Sequence, residues 1–247
     1  MRVLALDTTT ASGSVAIVDD SGLLVEEIGD PARTHAERLP GDILQAIDHA
    51  GLGIADIDLF AIAAGPGTFT GLRIGIAMIQ GLSFVSGKRV VPVSALRALA
   101  AAGCREEPAG RIVGAWMDAR RRDVFSALFR TTDRSPFESD GLIELEGATL
   151  GDPVAILKRW EEAGVTPDVL VGDGAIAFAH AIPAQISTLE QLPIAGVIGQ
   201  IALARAAAGD TVAPAGIQPL YIRRPDAEIA RDAASRTPDA QISKPKV

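Results

Sequence analysis

The chain has 247 residues, 48% hydrophobic and 22% charged. These are the proportions of a globular protein with core enough for one large or two small domains, and they exclude a disordered or fibrous chain. A formal net charge of −8 excludes a protein that grips nucleic acid unaided, because affinity for phosphate backbones comes mainly from clustered Lys and Arg.

Cys104 is the single cysteine, so no internal disulfide forms, and the three scattered histidines (His35, His49, His180) assemble no Cys/His metal cluster. Both features fit a reducing cytoplasm. The opening "MRVLALDTTT" is too short and too acidic for a signal peptide, and the longest apolar stretch, Gly71 to Gly87, carries Arg73 and Gln80. No membrane segment is expected.

In chain order, Arg2 to Asp7 reads as a strand buried on both faces, and "SGSVAIVDD" and "LLVEEIGD" add two strands joined at Asp20-Ser21-Gly22. Thr34 and Glu37 have capping-box spacing ahead of Leu39, Ile43, Ala46, Ile47 and Ala50, which predicts an amphipathic helix to about Gly51, kinked at Pro40. "LFAIAAG" is a buried strand, followed by a Gly-Pro-Gly turn and a helix from Gly71 to about Ser86. "RVVPV" and "SALRALAAA" add a strand and a helix.

The second half repeats this order. "RIVGAWMDA" and "DVFSALFR" are strands joined by a charged turn, and Leu142 to Leu145 supplies a third. A helix over Pro153 to Ala163, the strand "DVLVGDG", a helix from Ala175 and a last helix from Ile198 to Ala208 follow. Antiparallel neighbours mixed with strand-to-helix crossovers predict an α/β protein of two similar lobes, each a mixed sheet flanked by helices. The expected divisions are an N-terminal lobe over 1–102, a C-terminal lobe over 103–224 and a polar, flexible tail over 225–247.

Three motifs carry chemistry. In "DTTTASGSVAI", Asp7 at a strand end could reach a cation while Thr8, Thr9 and Ser12 face phosphate oxygens; the same residues equally make a polar hairpin turn. In "GPGTFTGLRIG", Gly65 and Gly67 permit a sharp bend, and the N–H groups opening the helix, with Thr68, Thr70 and Arg73, suit an anion or simply cap the helix. The helix behind is apolar almost all round, so it must be covered on more than one side. Gly71 and Gly75 clear a stripe on it for a second helix. With the helix after Thr34 it forms either a docking surface for another subunit or part of the lobe's own core. The third motif, "DARRRD", places Arg120 and Arg121 in a hairpin that either reaches RNA or is merely solvated.

The stretches "LALDTTTASGSVAI", "HAERLPGDILQAI", "AAGPGTFTGLRIGIAMIQGLS", "VVPVSALRALA", "WMDARRRDVFSALF", "VGDGA" and "PLYIR" resemble the TsaB (YeaZ) family of bacterial tRNA-modification proteins over nearly the whole chain. The resemblance implies an actin-like, Hsp70-like (ribonuclease H-like) ATPase fold without independent activity. It implies pairing with a catalytic TsaD-like subunit and a TsaE-like ATPase to transfer a threonylcarbamoyl group to the adenosine beside the tRNA anticodon, with a homodimer when the chain is alone. The partner interface it implies comprises His35, Leu39, Ile43, Ile47, Gly71, Arg73, Gly75, Met78 and Leu82, and a weak or vestigial nucleotide site comprises Asp7, Thr8, Thr9, Gly65, Gly67 and Thr68.

TsaD-like chains carry an H-x-x-x-H metal pair where this one has Ala95 and Leu99, neither of which can ligate a metal. Asp173 in "GDG" sets a negative charge where the catalytic relative has a Gly-Gly phosphate turn, a repulsion of roughly one kcal/mol in water and more when shielded. No cofactor is therefore expected for this chain alone, ATP and metal being held by its partners. The competing readings are an autonomous actin-like phosphotransferase, disfavoured by Asp173, and a metallopeptidase, disfavoured by the missing histidines.

Overall fold

The computed structural model describes residues 1–104, 107–189 and 193–223, so the expected tail over 225–247 lies outside the described residues. Strands β1 (Val3–Asp7), β2 (Ser14–Asp19) and β3 (Gly22–Ile28) form an antiparallel meander. Every residue of β1 is buried, as its unbroken apolar run requires. Helix α1 (His35–His49) follows, and the Glu37 carboxylate turns back to accept from the N–H (2.9 Å) and hydroxyl (2.8 Å) of Thr34. Pro40 lies inside α1 without ending it. Strand β4 (Leu59–Gly65) runs parallel to β1, helix α2 (Phe69–Ser86) crosses over, and β5 (Arg89–Ser94) runs parallel to β4. The sheet order is β3-β2-β1-β4-β5.

After helix α3 (Ala95–Gly103) the pattern recurs. Strands β6 (Ile112–Asp118), β7 (Val124–Thr131) and β8 (Leu142–Gly151) form a second meander, and helix α4 (Pro153–Glu162) leads to β9 (Val169–Val171), parallel to β6. Short helix α5 (Asp173–Ala177), β10 (Ser187–Leu189) and helix α6 (Ala195–Ala207) complete it. The order β10-β9-β6-β7-β8, read in reverse, is that of the first sheet, with β6 in the place of β1. The sequence stops β8 too early and misses β10, whose three residues are all exposed and too few to show a period.

The repeat is not two independent lobes. Helix α6, encoded in the second half, packs on β1 and β2 of the first sheet, while α3, encoded in the first half, packs on β6 and β7 of the second. The first sheet also caps α6: Ser14 Oγ accepts the Ala195 N–H (3.1 Å) and Glu26 Oε1 the Gly196 N–H (2.8 Å), placing a carboxylate at the positive end of the helix. Buried residues of α3, α6 and both sheets accordingly form one continuous cluster, and a second cluster in the outer half of the C-terminal sheet is built on Trp116 and Trp160, with ring centroids 6.1 Å apart.

Helix α2 has the length and apolarity to cross a membrane, which the interrupting Arg73 and Gln80 had argued against. Here it lies against β4, with Leu72, Ile76 and Ile79 buried in the first lobe.

Close approach of α6 to the sheet depends on Gly199, where an added Cβ would stand 2.6 Å from the Val18 side chain. Gly199→Leu is expected to lower unfolding free energy by about 1–3 kcal/mol through overpacking, measured by urea denaturation, with both lobes unfolding in one transition because they share this core.

Candidate functional site

The end of β1 and the loop before α2 meet as the sequence suggests, but they meet in direct contact. The Asp7 carboxylate accepts from the N–H (2.9 Å) and hydroxyl (2.6 Å) of Thr9, closing a local turn. Burial raises its pKa from the usual carboxylate value, against the lowering effect of the Thr9 bonds. The Thr68 N–H, at the N-cap of α2, donates to Thr9 O at 3.1 Å, and a Cβ on Gly67 would lie 2.6 Å from Thr9 Cβ. Gly65 is covered in turn by Leu220, whose N–H donates to Ala64 O at 2.7 Å. Asp7, Thr8, Thr9 and Gly65 are packed against neighbouring chain, while Gly67 and Thr68, in contact with Thr9, also line a larger cavity. Beside Asp7 there is a cavity of about 90 Å³, on the side of Ser12, Gly13 and Pro193. It has room for a few waters and not for a nucleotide. The six residues expected at a weak or vestigial nucleotide site, Asp7, Thr8, Thr9, Gly65, Gly67 and Thr68, lie together in two loops that touch each other.

Of the residues expected at a partner interface, several lie inside the lobe and others reach its surface. Leu39, Ile43 and Ile47 are the core face of α1, packed with buried residues of β1, β2 and β4. Gly71 and Gly75 clear no path for a foreign helix: an added Cβ would lie 2.1 Å from Thr8 O and 2.2 Å from Thr8 Oγ1 respectively, so the stripe receives the chain's own β1–β2 loop. His35 also looks inward. Its Nε2 donates to Thr10 O (2.8 Å) and its Nδ1 accepts from Arg38 (2.9 Å), while burial holds its pKa below the usual imidazole value. Met78 and Leu82 are partly buried against the same core, leaving Arg73 exposed. The apolar groups that face outward are others: Phe84 (82% exposed) and Val85 (88%) on α2, and Leu44 (67%) on α1. Helical periodicity gave the apolar stripe but not its direction, because α2 is apolar on nearly every side.

Sequence reasoning missed Arg38, which is 3% exposed and donates to Ser12 O, Ala11 O and Asp42, pinning the loop beside Asp7 from α1. The only hint was an Arg in register with the apolar positions of an amphipathic helix.

A larger cavity, about 420 Å³, opens between the turn before α2 and the hairpin joining β6 to β7. Phe69, Phe125 and Leu220 give it an apolar wall, and Arg120 and Arg121 reach it from the hairpin. The hairpin is unusual in holding Arg120, Arg121 and Arg122 at φ of 62°, 57° and 68°, a left-handed run that costs on the order of 1 kcal/mol per residue for side chains other than glycine. It is tied down on two sides. Asp173 Oδ1 accepts the Asp118 N–H (2.9 Å), and Arg223 donates to Ala119 O (2.5 Å) and Asp123 Oδ2 (2.5 Å). Burial and the neighbouring charge of Asp118 raise the Asp173 pKa. At the opposite wall, Arg73 stacks 3.9 Å above the Phe69 ring and its Nε donates to the Tyr221 hydroxyl (3.2 Å), while the Phe69 and Tyr221 rings lie 5.2 Å apart. Of this cavity the sequence anticipated only the arginines and the turn.

A model of the family described as TsaD, tRNA N6-adenosine threonylcarbamoyltransferase, matches residues 29–140. The tRNA threonylcarbamoyladenosine biosynthesis protein TsaB of Escherichia coli is 28% identical over 235 residues, 90% of this chain and 95% of that protein. Its Haemophilus influenzae counterpart is 37% identical over 139 residues, 56% of this chain and 58% of that protein. YeaZ from Pseudomonas aeruginosa superposes with a TM-score of 0.72 at 28% identity, over 89% of this chain and 99% of that one. The chain belongs to the TsaB (YeaZ) family. Its doubled mixed sheets are the actin-like, ribonuclease H-like arrangement that the resemblance implied. Ala95 and Leu99, which stand where TsaD-like chains carry their histidine pair, are fully covered in the core shared by the two sheets, and among the described residues no group of three or more His, Cys, Asp or Glu side chains could hold a metal.

The raised pKa of Asp7 has a sign that can be checked. The folded state binds this proton more tightly than the unfolded state, so ionised Asp7 lowers stability above the folded-state pKa, and that penalty fades as pH falls toward the unfolded value. Asp7→Asn keeps an acceptor for Thr9 and is expected to be more stable than the parent at neutral pH, the difference vanishing in acid; thermal melts across pH would show it. A destabilised Asn variant at neutral pH would mean that the charge itself is needed.

Proposed function

We propose that the chain is a non-catalytic subunit of the assembly that places a threonylcarbamoyl group on the adenosine beside the tRNA anticodon, and that it works by pairing with a TsaD-like catalytic subunit, with a TsaE-like ATPase joining them. The observation that carries this reading is the outer face of α2. Phe84 and Val85 stand almost fully in solvent on a helix whose other large apolar side chains are buried or part-buried. Burying two such side chains contributes roughly 1.5–3 kcal/mol each, which rewards docking a subunit and has no role in a monomer. The closed cradle at Asp7 and the donor-free Ala95 and Leu99 support the absence of independent chemistry, with ATP and metal supplied by the partners. In the absence of a partner, the same face would pair two copies of the chain.

The test separates face from core. Phe84→Glu and Val85→Glu place a charge on an exposed position, so each variant is expected to remain folded by circular dichroism yet fail to pair with the TsaD-like subunit in size exclusion with light scattering, and to lose tRNA modification in the reconstituted assembly. Ile43→Glu, buried at 4% exposure, is expected instead to unfold the protein, since an unpaired charge in the core costs several kcal/mol. Retained pairing by both α2 variants would move the docking surface elsewhere.

Because the cradle is filled, calorimetry on the chain alone is expected to show no ATP binding tighter than about 100 μM. Micromolar binding with turnover would favour a phosphotransferase.

A further inference from the structure

Two side chains of α1, His35 and Arg38, hold the β1–β2 loop from one side. The His35 ring bridges the two elements: Nε2–H donates to Thr10 O (2.8 Å) and Nδ1 accepts from Arg38 Nη2 (2.9 Å). The same guanidinium donates to Ser12 O and Ala11 O in the loop and to Asp42 on α1. Glycines make the seat for this pair. An added Cβ on Gly13 would stand 3.1 Å from His35 Cε1, one on Gly71 would stand 3.3 Å from His35 Cδ2, and one on Gly29 would overlap the Arg38 guanidinium.

A guanidinium can only donate and keeps its charge, so the arrangement requires an acceptor at Nδ1. A neutral imidazole with its hydrogen on Nε2 meets both contacts, whereas an imidazolium, a donor at both nitrogens, meets only the one to Thr10. We infer that His35 is a proton-operated latch on the β1–β2 loop: the neutral ring locks Arg38 onto the loop, and a proton on Nδ1 sets two donors and two positive charges face to face and releases it. The charged groups around the ring come from two elements, Arg38 and Asp42 on α1 and Asp7 at the end of β1, while α2 meets the ring at Gly71, which carries no charge. Burial and the Arg38 charge hold the imidazole below its ordinary value, against the Thr10 bond and the attraction of Asp7 and Asp42. The closed loop therefore binds this proton less tightly than the released loop, in which the ring returns to about 6.5. Release thus grows as pH falls below that value. Asp7 has the opposite sign, because its raised pKa makes the closed state the tighter binder of its proton. The loop so released is the one that receives Gly67, Gly71 and Gly75, so the latch governs how firmly α2 is seated, whatever partner α2 meets.

The experiment follows amide hydrogen exchange of the full chain by NMR between about pH 7.5 and about pH 5.5, corrected for intrinsic exchange. Three amides report on the loop: Gly13 N–H, bonded to Thr10 Oγ1, Gly29 N–H, bonded to Gly13 O, and Thr68 N–H, bonded to Thr9 O. Their protection is expected to fall by up to about tenfold over this interval, with that of β4 unchanged. His35→Gln offers an amide donor to Thr10 and an amide oxygen to Arg38 without titrating, and is expected to hold protection level across the interval. Constant protection in the parent would overturn the latch. So would an equal fall in His35→Gln folded by circular dichroism, which would place the titration elsewhere, or a fall shared by β4, which is global unfolding. A second measurement needs no variant: the His35 ring resonances must titrate over the same pH interval in which the three amides lose protection, and separate midpoints would sink the inference.

Discussion

The structure depends on the contact between the β1–β2 loop and the start of α2. Thr8 lies so close to α2 that Gly71 and Gly75 are the only residues the helix can present to it, and Thr9 receives both Gly67 and the Thr68 N–H. Two loops that would flank a phosphate in an open cleft are therefore each other's ligand. Asp7 Oδ1 accepts both the N–H and the hydroxyl of Thr9, two residues away, which offsets part of the cost of burying the carboxylate. From the other side Arg38 reaches the carbonyls of Ala11 and Ser12, so the loop is fixed by side chains from both α1 and α2.

Once the cleft is closed, the two halves need another way to stay in register, and exchange of helices supplies it. α6 brings second-half sequence onto the first sheet with its N–H groups capped by Ser14 and Glu26, and α3 does the reverse. The segment after α6 continues the stitching. Leu220 bonds to Ala64 at the end of β4, Tyr221 packs on Phe69, and Arg223 ties to Ala119 and Asp123 of the second lobe. The chain is thus fastened at several points across its two sheets.

Much of this was legible in the sequence because local signals agree with the fold. Both strand meanders, the Thr34–Glu37 helix start and the turn before α2 follow from periodicity, capping and glycine placement, and the doubled order of elements pointed to two similar mixed sheets. What failed was direction. Gly71-x-x-x-Gly75 marks a close approach but does not say to what, and the approaching group is a loop 63 residues earlier in the chain than Gly71, near Thr8. Leu39, Ile43 and Ile47 have the same spacing whether they face a sheet or another subunit. The cavity wall of Phe69, Tyr221 and Arg73 was invisible because it joins residues 148 positions apart, and no local pattern encodes such a meeting.

Charge explains why a protein this acidic still concentrates arginine at one hairpin. Dispersed acidic groups keep the surface from holding RNA at random, since non-specific binding follows the overall field. A short cationic hairpin acts only at close range, because its field is screened beyond about 10 Å at moderate salt. The left-handed backbone at Arg120, Arg121 and Arg122 fits that logic: its cost is offset by the bonds of Asp173 and Arg223 that hold the hairpin, and those bonds come from strands and segments on both sides of the cleft. The position of the arginines is thus set by the same C-terminal segment that fastens the first lobe, where Leu220 bonds to Ala64 and, three residues on, Arg223 bonds to Ala119 and Asp123.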